Sequence, residues 1–279
     1  MSKKQLEKLV VGIVTHKSCL VLLEQTLGSL QMALTHLAST EIILNSRIVI
    51  LDNSEDSEYL EKLRVTLEAS QLRGFDIELL IERNQGFGAA HNKIVDSYDA
   101  DLYLALNPDV DFHCTSLGGA INAMIKYGTD LVVPRIQDKK GNELHLHIHA
   151  ASPLYILLRA FAPKWLREIF INYLTKIENV AVDTVVQPGS RVLFSGCCML
   201  FRRSSLIGVN GFDEKYFLYF EDYDLSLRAL EDGTAMVPAD FSIIHFGGSA
   251  SKKSWMHKFQ FVKSSLRFYK KLYITGFPN

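Results

Sequence analysis

The sequence predicts an α/β fold, a mixed and mostly parallel sheet flanked by helices. Three observations carry that reading: short apolar runs alternate with stretches of helical periodicity, polar residues follow several of those runs directly, and no internal repeat or low-complexity tract interrupts the pattern. The run at 9–15 reads as a first strand, and 20–37 as a helix. The run at 48–51 is a second strand, followed by the helical stretch 59–67. Residues 77–81, 102–106 and 131–133 supply three more strands. In open parallel sheets the ligand crevice lies at the carboxyl ends of the strands. Thr15 closes the first run, and Asp52-Asn53, Arg83-Asn84 and Asn107–111 each follow one immediately, so they are expected to converge on one edge as a nucleotide site.

The second half reads differently. Residues 192–201 form a strand-like run, Gly211-Phe-Asp a turn, and 236–245 another strand. Between the halves, 153–174 is rich in apolar and aromatic residues but is interrupted by Arg159, Lys164 and Arg167 and broken by Pro163, which excludes a bilayer span. Three readings stay open for it: an amphipathic pair on a membrane surface, a cover for the protein's own core, or an oligomer contact. The expected organisation is one domain over 1–250, with a nucleotide-binding half at 1–135, an amphipathic insertion at 150–178 and a catalytic half at 180–250. A helical tail follows at 251–279. That tail is basic and aromatic, with a docking helix as the default and attraction to anionic lipid as the alternative.

A 279-residue chain that is 48% hydrophobic can bury a substantial core. Its 30 Lys and Arg are balanced by 31 Asp and Glu and are dispersed, so no broad basic footprint for nucleic acid is present. Cys19, Cys114 and the adjacent Cys197 and Cys198 form neither a metal spacing nor a disulfide framework, which fits a reducing cytosol. The charged N-terminus is followed by no long apolar region, so no secretion signal is expected.

Two acidic clusters carry most of the chemistry. In Asn107-Pro-Asp-Val-Asp111 the carboxylates emerge where a buried strand ends, and Asp109 and Asp111, one residue apart, can offer hard oxygen ligands to Mg²⁺ or Mn²⁺. In Glu221-Asp-Tyr-Asp224 the acids open an amphipathic helix after an aromatic stretch, where one carboxylate can act as a base or the charges can simply favour the helix start. Asp52 can accept the ring N–H of a uracil or thymine, or cap the next helix. Asn84-Gln-Gly-Phe-Gly88 supplies backbone N–H groups at a strand-to-helix junction, yet lacks the third glycine of a dinucleotide fingerprint. The alternating His145, His147 and His149 invite a zinc reading, but no nearby acid or cysteine completes a tetrahedral set, and a surface strand or acceptor-loop contact is preferred.

Six segments in order, Leu51-Asp-Asn-Ser54, Asn84-Gln-Gly-Phe-Gly-Ala-Ala-His-Asn92, Asn107-Pro-Asp-Val-Asp111, Gly211-Phe-Asp-Glu214, Tyr219-Phe-Glu-Asp-Tyr-Asp-Leu225 and His245-Phe-Gly-Gly-Ser249, resemble those of family 2 glycosyltransferases. Such enzymes are inverting, use nucleotide sugars and have the GT-A fold. The Asn-Pro-Asp-Val form resembles bacterial rhamnosyltransferases of surface-polysaccharide synthesis, such as that of O-antigen.

The resemblance implies a site. Thr15, Asp52, Asn84, Gly86, Phe87, Gly88, Asn92, Asn107 and Asp109 fall on the donor side, and Ser195 and Gly196 line the acceptor floor. Asp111 is the first-choice ligand of a divalent metal, Mg²⁺ or Mn²⁺, with Asp109 as partner and His245 as the additional ligand. Asp222 is the base, with Glu221 as the alternative base or acceptor-holding group, and Asp224 pairs with Arg228 or caps the helix. The implied partners are a dTDP- or UDP-sugar and a glycan or polyprenyl-linked glycan. The implied place is the cytoplasm, with peripheral contact at the inner face of the plasma membrane, and an oligomer stays open. Two rival functions remain: a nucleotide-sugar-binding scaffold without catalysis, and a sugar nucleotidyltransferase. The intact acids argue against the first, and the absence of a Gly-rich basic loop near the N-terminus argues against the second.

Overall fold

The computed structural model describes residues 7–40, 45–70, 75–150, 152–247 and 255–275. Its first half is built from β1 (Lys8–Thr15), α1 (Leu20–Ala38), β2 (Asn45–Asp52), α2 (Ser57–Ala69), β3 (Asp76–Ile81), α3 (Phe87–Ser97) and β4 (Leu102–Leu106). The β-branched and leucine-rich runs become strands, with β1 and β4 buried on both faces and the edge strand β3 only partly covered, and helical periodicity supplies the crossovers between them. β1, β2, β3 and β4 pair in parallel, with Thr15 opposite Asp52 and Asp52 opposite Ile81. That register aligns the carboxyl ends and sets the edge on which the polar residues gather.

After β4 come β5 (Val110–Phe112), α4 (Ser116–Tyr127), β6 (Leu131–Val132), β7 (Arg135–Gln137), β8 (Ile148–His149), α5 (Pro153–Phe161), α6 (Lys164–Ile169) and α7 (Ile171–Glu178). The remaining elements are β9 (Val185–Val186), β10 (Val192–Leu193), β11 (Cys198–Arg202), α8 (Arg203–Gly208), α9 (Glu221–Asp232), β12 (Ala235–Met236), β13 (Ser242–His245) and α10 (Trp255–Lys270), which ends in a wider turn at Lys271–Thr275. The main sheet runs β3-β2-β1-β4-β11-β6-β12-β9, and a small sheet β5-β13-β7 and the pair β10-β8 stand beside it. β11 is antiparallel to both neighbours, so the sheet is mixed.

One apolar cluster, with α1 and α4, covers one face of the sheet; a second, with α3, α8 and α9, covers the other. A third joins Tyr155, Leu158 and Leu174 of the insertion to Phe220 and Leu227 of α9 and Phe268 of α10. Among the three readings of the insertion, its inner side thus covers the protein's own core. No described helix is long and apolar enough to cross a membrane.

Two strands expected to be continuous are broken. The 192–201 run divides into β10 and β11, because between them the Phe194 and Gly196 N–H groups donate to Ser226 Oγ and Asp222 Oδ2 of α9 rather than to a neighbouring strand. The 236–245 run divides at Pro238, which supports a turn onto Phe241 and sends β13 into the small sheet. Of the His145–149 stretch only the last two residues form a strand, pairing with β10.

Candidate active site

At the aligned strand ends Asp52 is buried, and its Oδ1 accepts from Thr15 Oγ1 at 3.0 Å and Ser54 Oγ at 2.6 Å. The cap of α2 is Asp56, whose Oδ1 accepts from the Glu58 and Tyr59 N–H groups, so Asp52 is released from the capping role. Asn53 Nδ2 donates to Asn84 Oδ1 at 3.3 Å, and the Gly86 N–H donates to the same oxygen at 3.1 Å. His16, which the sequence reading passed over, brings its Nδ1 to 3.1 Å from the Asn53 carbonyl oxygen and 3.3 Å from Asn84 Nδ2. Its place directly after Thr15 was the available signal. β1, β2 and the loop after β3 are therefore cross-linked at one edge by side chains.

The glycine segment and Asn92 have a different duty from the one expected. Gly86 sits at φ +106°, and a Cβ there would lie 2.4 Å from the Phe217 carbonyl oxygen; one at Gly88 would lie 2.7 Å from Phe212 Cβ. These glycines admit the second half of the chain rather than a ligand. Phe87 packs edge-on against His91 and Phe212 and donates its N–H to the Phe217 oxygen. Asn92 donates from Nδ2 to the Phe212 carbonyl and Glu214, and accepts the Phe212 N–H at Oδ1, which clasps the Gly211 turn. Both ends of its amide are thus engaged within the protein, which removes it from the donor side.

Beyond β4, the Asn107 N–H donates to the Cys197 carbonyl, which ties the acidic segment to β11. Asp109 then meets His245: Oδ1 and Nε2 are 3.3 Å apart. Asp111 does not join them. In β5 it stands opposite Ile244 of β13, and directly opposed residues share a sheet face. It lines a groove with Gln25, Gly28, Ser29 and Met32 of α1, apart from the Asp109–His245 contact. Among the described residues no cluster of three or more His, Cys, Asp or Glu side chains gathers to hold a metal alone. An imidazole nitrogen and a carboxylate oxygen in contact nonetheless suit a divalent ion whose other ligands are substrate phosphates and water. Phe246 follows with its N–H on the Asp109 carbonyl, while Gly248 and Ser249 of the same segment lie outside the described residues.

Three acids, Glu221, Asp222 and Asp224, open α9. Tyr219 and Phe220 both adopt left-handed backbone, at φ +69° and +68°, a conformation costing non-glycine residues about 1–3 kcal/mol each. The stacking of Phe220 with Phe261 and Phe268 holds it there. That entry turns Asp222 toward β11, where Oδ2 accepts the Gly196 N–H at 2.8 Å and Oδ1 accepts the Tyr223 N–H at 2.9 Å. A Cβ at Gly196 would lie 2.9 Å from Asp222 Cβ, so this glycine makes room for the acid. Ser195 is held by its N–H donating to His147 Nδ1, while His147 Nε2–H donates to the Pro134 carbonyl. Burial lowers the His147 pKa to about 4, and both its nitrogens are engaged, so it braces the site and has none to offer zinc.

The two neighbouring acids have unequal environments. Burial pushes the Asp222 pKa up to about 6 against the opposing pull of the Gly196, Tyr223 and Asp222 backbone N–H groups. Glu221 is held well above the ordinary carboxylate range, first by burial and then by the Asp222 charge, and its Oε2 is enclosed without a partner. Asp224 is fully buried and accepts from Arg228 Nε at 2.7 Å and Lys271 Nζ at 2.6 Å, which makes it an anchor for the tail. Burial pushes the Cys197 thiol pKa up to about 12, and the charges of Asp109 and Asp222 add to the rise. Cys197 is thus without nucleophilic character.

No protein-family profile matches the chain. An N-acetylglucosaminyl-diphospho-decaprenol L-rhamnosyltransferase of Mycobacterium tuberculosis is 26% identical over 66% of this chain, which spans 64% of that relative's length. Rhamnosyltransferase WbbL of Escherichia coli K12 is 38% identical over 34% of this chain and 35% of its own. Among solved structures, the mannosyltransferase PcManGT of Pyrobaculum calidifontis, in complex with GDP-Man and Mn²⁺, superposes with a TM-score of 0.58 at 14% identity, covering 93% of this chain and 64% of that one. GalNAc-T7 with UDP, GalNAc and Mn²⁺ gives 0.61 at 13% identity, covering 96% and 48%. The chain thus has the GT-A fold and resembles in sequence the rhamnosyltransferases of glycosyltransferase family 2.

Proposed function

We propose that this protein is an inverting glycosyltransferase that moves L-rhamnose from a dTDP-linked donor to a polyprenyl-linked glycan in surface-polysaccharide synthesis. The observation that carries it is the Glu221–Asp222 pair at a strained helix entry, with Asp222 bound to the Gly196 N–H, near the Asp109–His245 pair. The rhamnosyltransferase names of the two relatives support the sugar and the lipid-linked acceptor.

Each part has a physical task. Asp52 retains Oδ2 for the ring N–H of thymine or uracil, because its Oδ1 is the atom that accepts from Thr15 and Ser54. Asp109 and His245 hold the divalent cation, Mg²⁺ or Mn²⁺, which when bound supplies Lewis-acid neutralisation of the diphosphate. Asp222, ionised above about pH 6, takes the acceptor hydroxyl proton as that oxygen bonds to the anomeric carbon. The bond to the diphosphate oxygen breaks on the opposite face, and its electron pair leaves with the nucleotide. Glu221, whose carboxyl is held well above the ordinary carboxylate range by burial and by the Asp222 charge, orients the acceptor as a hydrogen-bond donor.

The test is a thermal-shift screen of nucleotide sugars with Mn²⁺, since a bound donor stabilises the fold by mass action. dTDP-rhamnose is expected to raise the melting temperature above any purine nucleotide sugar. Equal shifts for GDP- and dTDP-sugars would remove the pyrimidine assignment, and no shift with any donor would remove the reading itself.

A further inference from the structure

We infer that the outward face of α10 is a docking surface for an anionic lipid bilayer. The helix has two apolar faces, where a packed surface helix needs one. The inner face is occupied: Ser264 Oγ donates to the Leu218 carbonyl, His257 meets the Tyr219 hydroxyl, and Phe261 and Phe268 stack on Phe220. Opposite it, Trp255, Phe259, Val262 and Leu266 recur at four-, three- and four-residue intervals, and they are 75%, 56%, 46% and 68% exposed. Lys258, Lys263 and Lys270 border the stripe, and all three are exposed.

Charge selects the occupant. Residues 251–279 contain seven Lys and Arg and no Asp or Glu, leaving 23 basic residues against 31 acidic in the remainder of the chain. A second copy laid on the same stripe would bring these lysines against their own counterparts without a single acid of the tail to pair them. An anionic headgroup layer pairs Lys258, Lys263 and Lys270, and it admits the tryptophan and phenylalanine side chains at the depth where aromatic rings settle. The helix then lies in the interface plane, with its inner face still docked on α9.

The inference stands apart from the transfer chemistry, because its test contains no sugar donor and no glycan acceptor. The full chain is sedimented with phosphatidylcholine vesicles, with and without phosphatidylglycerol, at low and high salt. Binding is expected only with phosphatidylglycerol, weakened by salt. Phe259→Glu with Leu266→Glu should abolish it, and replacing Lys258, Lys263 and Lys270 with Gln should cost about fivefold per lysine, about 1 kcal/mol each. Both variants alter exposed residues, and an unchanged melting temperature checks that each is folded. Trp165→Phe leaves Trp255 as the sole tryptophan, whose emission should shift to the blue on the anionic vesicles even if the glutamate variant fails to fold. Absence of binding to phosphatidylglycerol vesicles at low salt, or binding undiminished in the folded variants, would overturn the inference. So would a wild-type dimer in sedimentation velocity that Phe259→Glu with Leu266→Glu dissociates, since the occupant would then be a second copy.

Discussion

Glu221 and Asp222 are adjacent in sequence and unequal in chemistry because the Asp222 carboxylate accepts the Gly196 and Tyr223 N–H groups on its two oxygens, while Glu221 has one oxygen enclosed without a partner. Transfer should therefore rise with pH through about 6, as Asp222 loses its proton, and a kcat profile measures it. The stability effect has the opposite sign. A carboxyl whose folded pKa is raised holds its proton in the folded state longer than in the unfolded one. Folding then loses stability as pH rises from the ordinary carboxylate range through about 6. Asp222→Asn should accordingly melt higher than wild type at pH 8 by a few degrees and gain little at pH 4. A second contrast separates the metal-side acids: Asp109→Asn should weaken Mn²⁺-dependent nucleotide binding about tenfold or more, as for loss of a coordinating carboxylate, while Asp111→Asn leaves calorimetric affinity nearly unchanged. The acids themselves were legible as motifs, but the choice between Asp109 and Asp111 was not. What sets the two acids apart, and favours Asp109 in the proposal, is the pairing of β5 with β13, whose residues lie more than a hundred positions away.

At the scale of elements, the alternation of apolar runs and helical periods was sufficient to place β1 to β4 and their crossovers, because each such segment states its period locally. The second half was less legible. β10 and β11 read as one strand since the residues between them are apolar or small, and only the approach of α9 explains why their N–H groups turn aside. The glycines of the α3 entry likewise resembled a ligand cradle, while Gly86 packs on Phe217 and Gly88 on Phe212, both far along the chain. Gly86→Ala places a methyl against that backbone carbonyl in left-handed backbone, and should cost about 2–4 kcal/mol in urea denaturation. Gly128→Ala, also left-handed but with open space around it, should cost only about 1 kcal/mol.

For the whole molecule, the tail is joined to the catalytic half through charge buried at α9. Lys271 pairs with Asp224 and Asp213, so removing it leaves a fully buried carboxylate with Arg228 as its remaining cation. Lys271→Met should destabilise the fold by about 2 kcal/mol, less than the loss of a sole partner, measured by chemical denaturation. The insertion and the tail thus converge on the start of α9, where packing fixes Asp222, the proposed base. The most direct test is acceptor-dependent release of nucleoside diphosphate by wild type and Asp222→Asn, with donor affinity measured in parallel. Loss of one positioned base should lower turnover by about 10²–10⁴-fold while the donor Kd is unchanged. Near-normal turnover in Asp222→Asn, with Glu221→Gln inactive and still binding donor, would contradict the assignment and give the proton to Glu221.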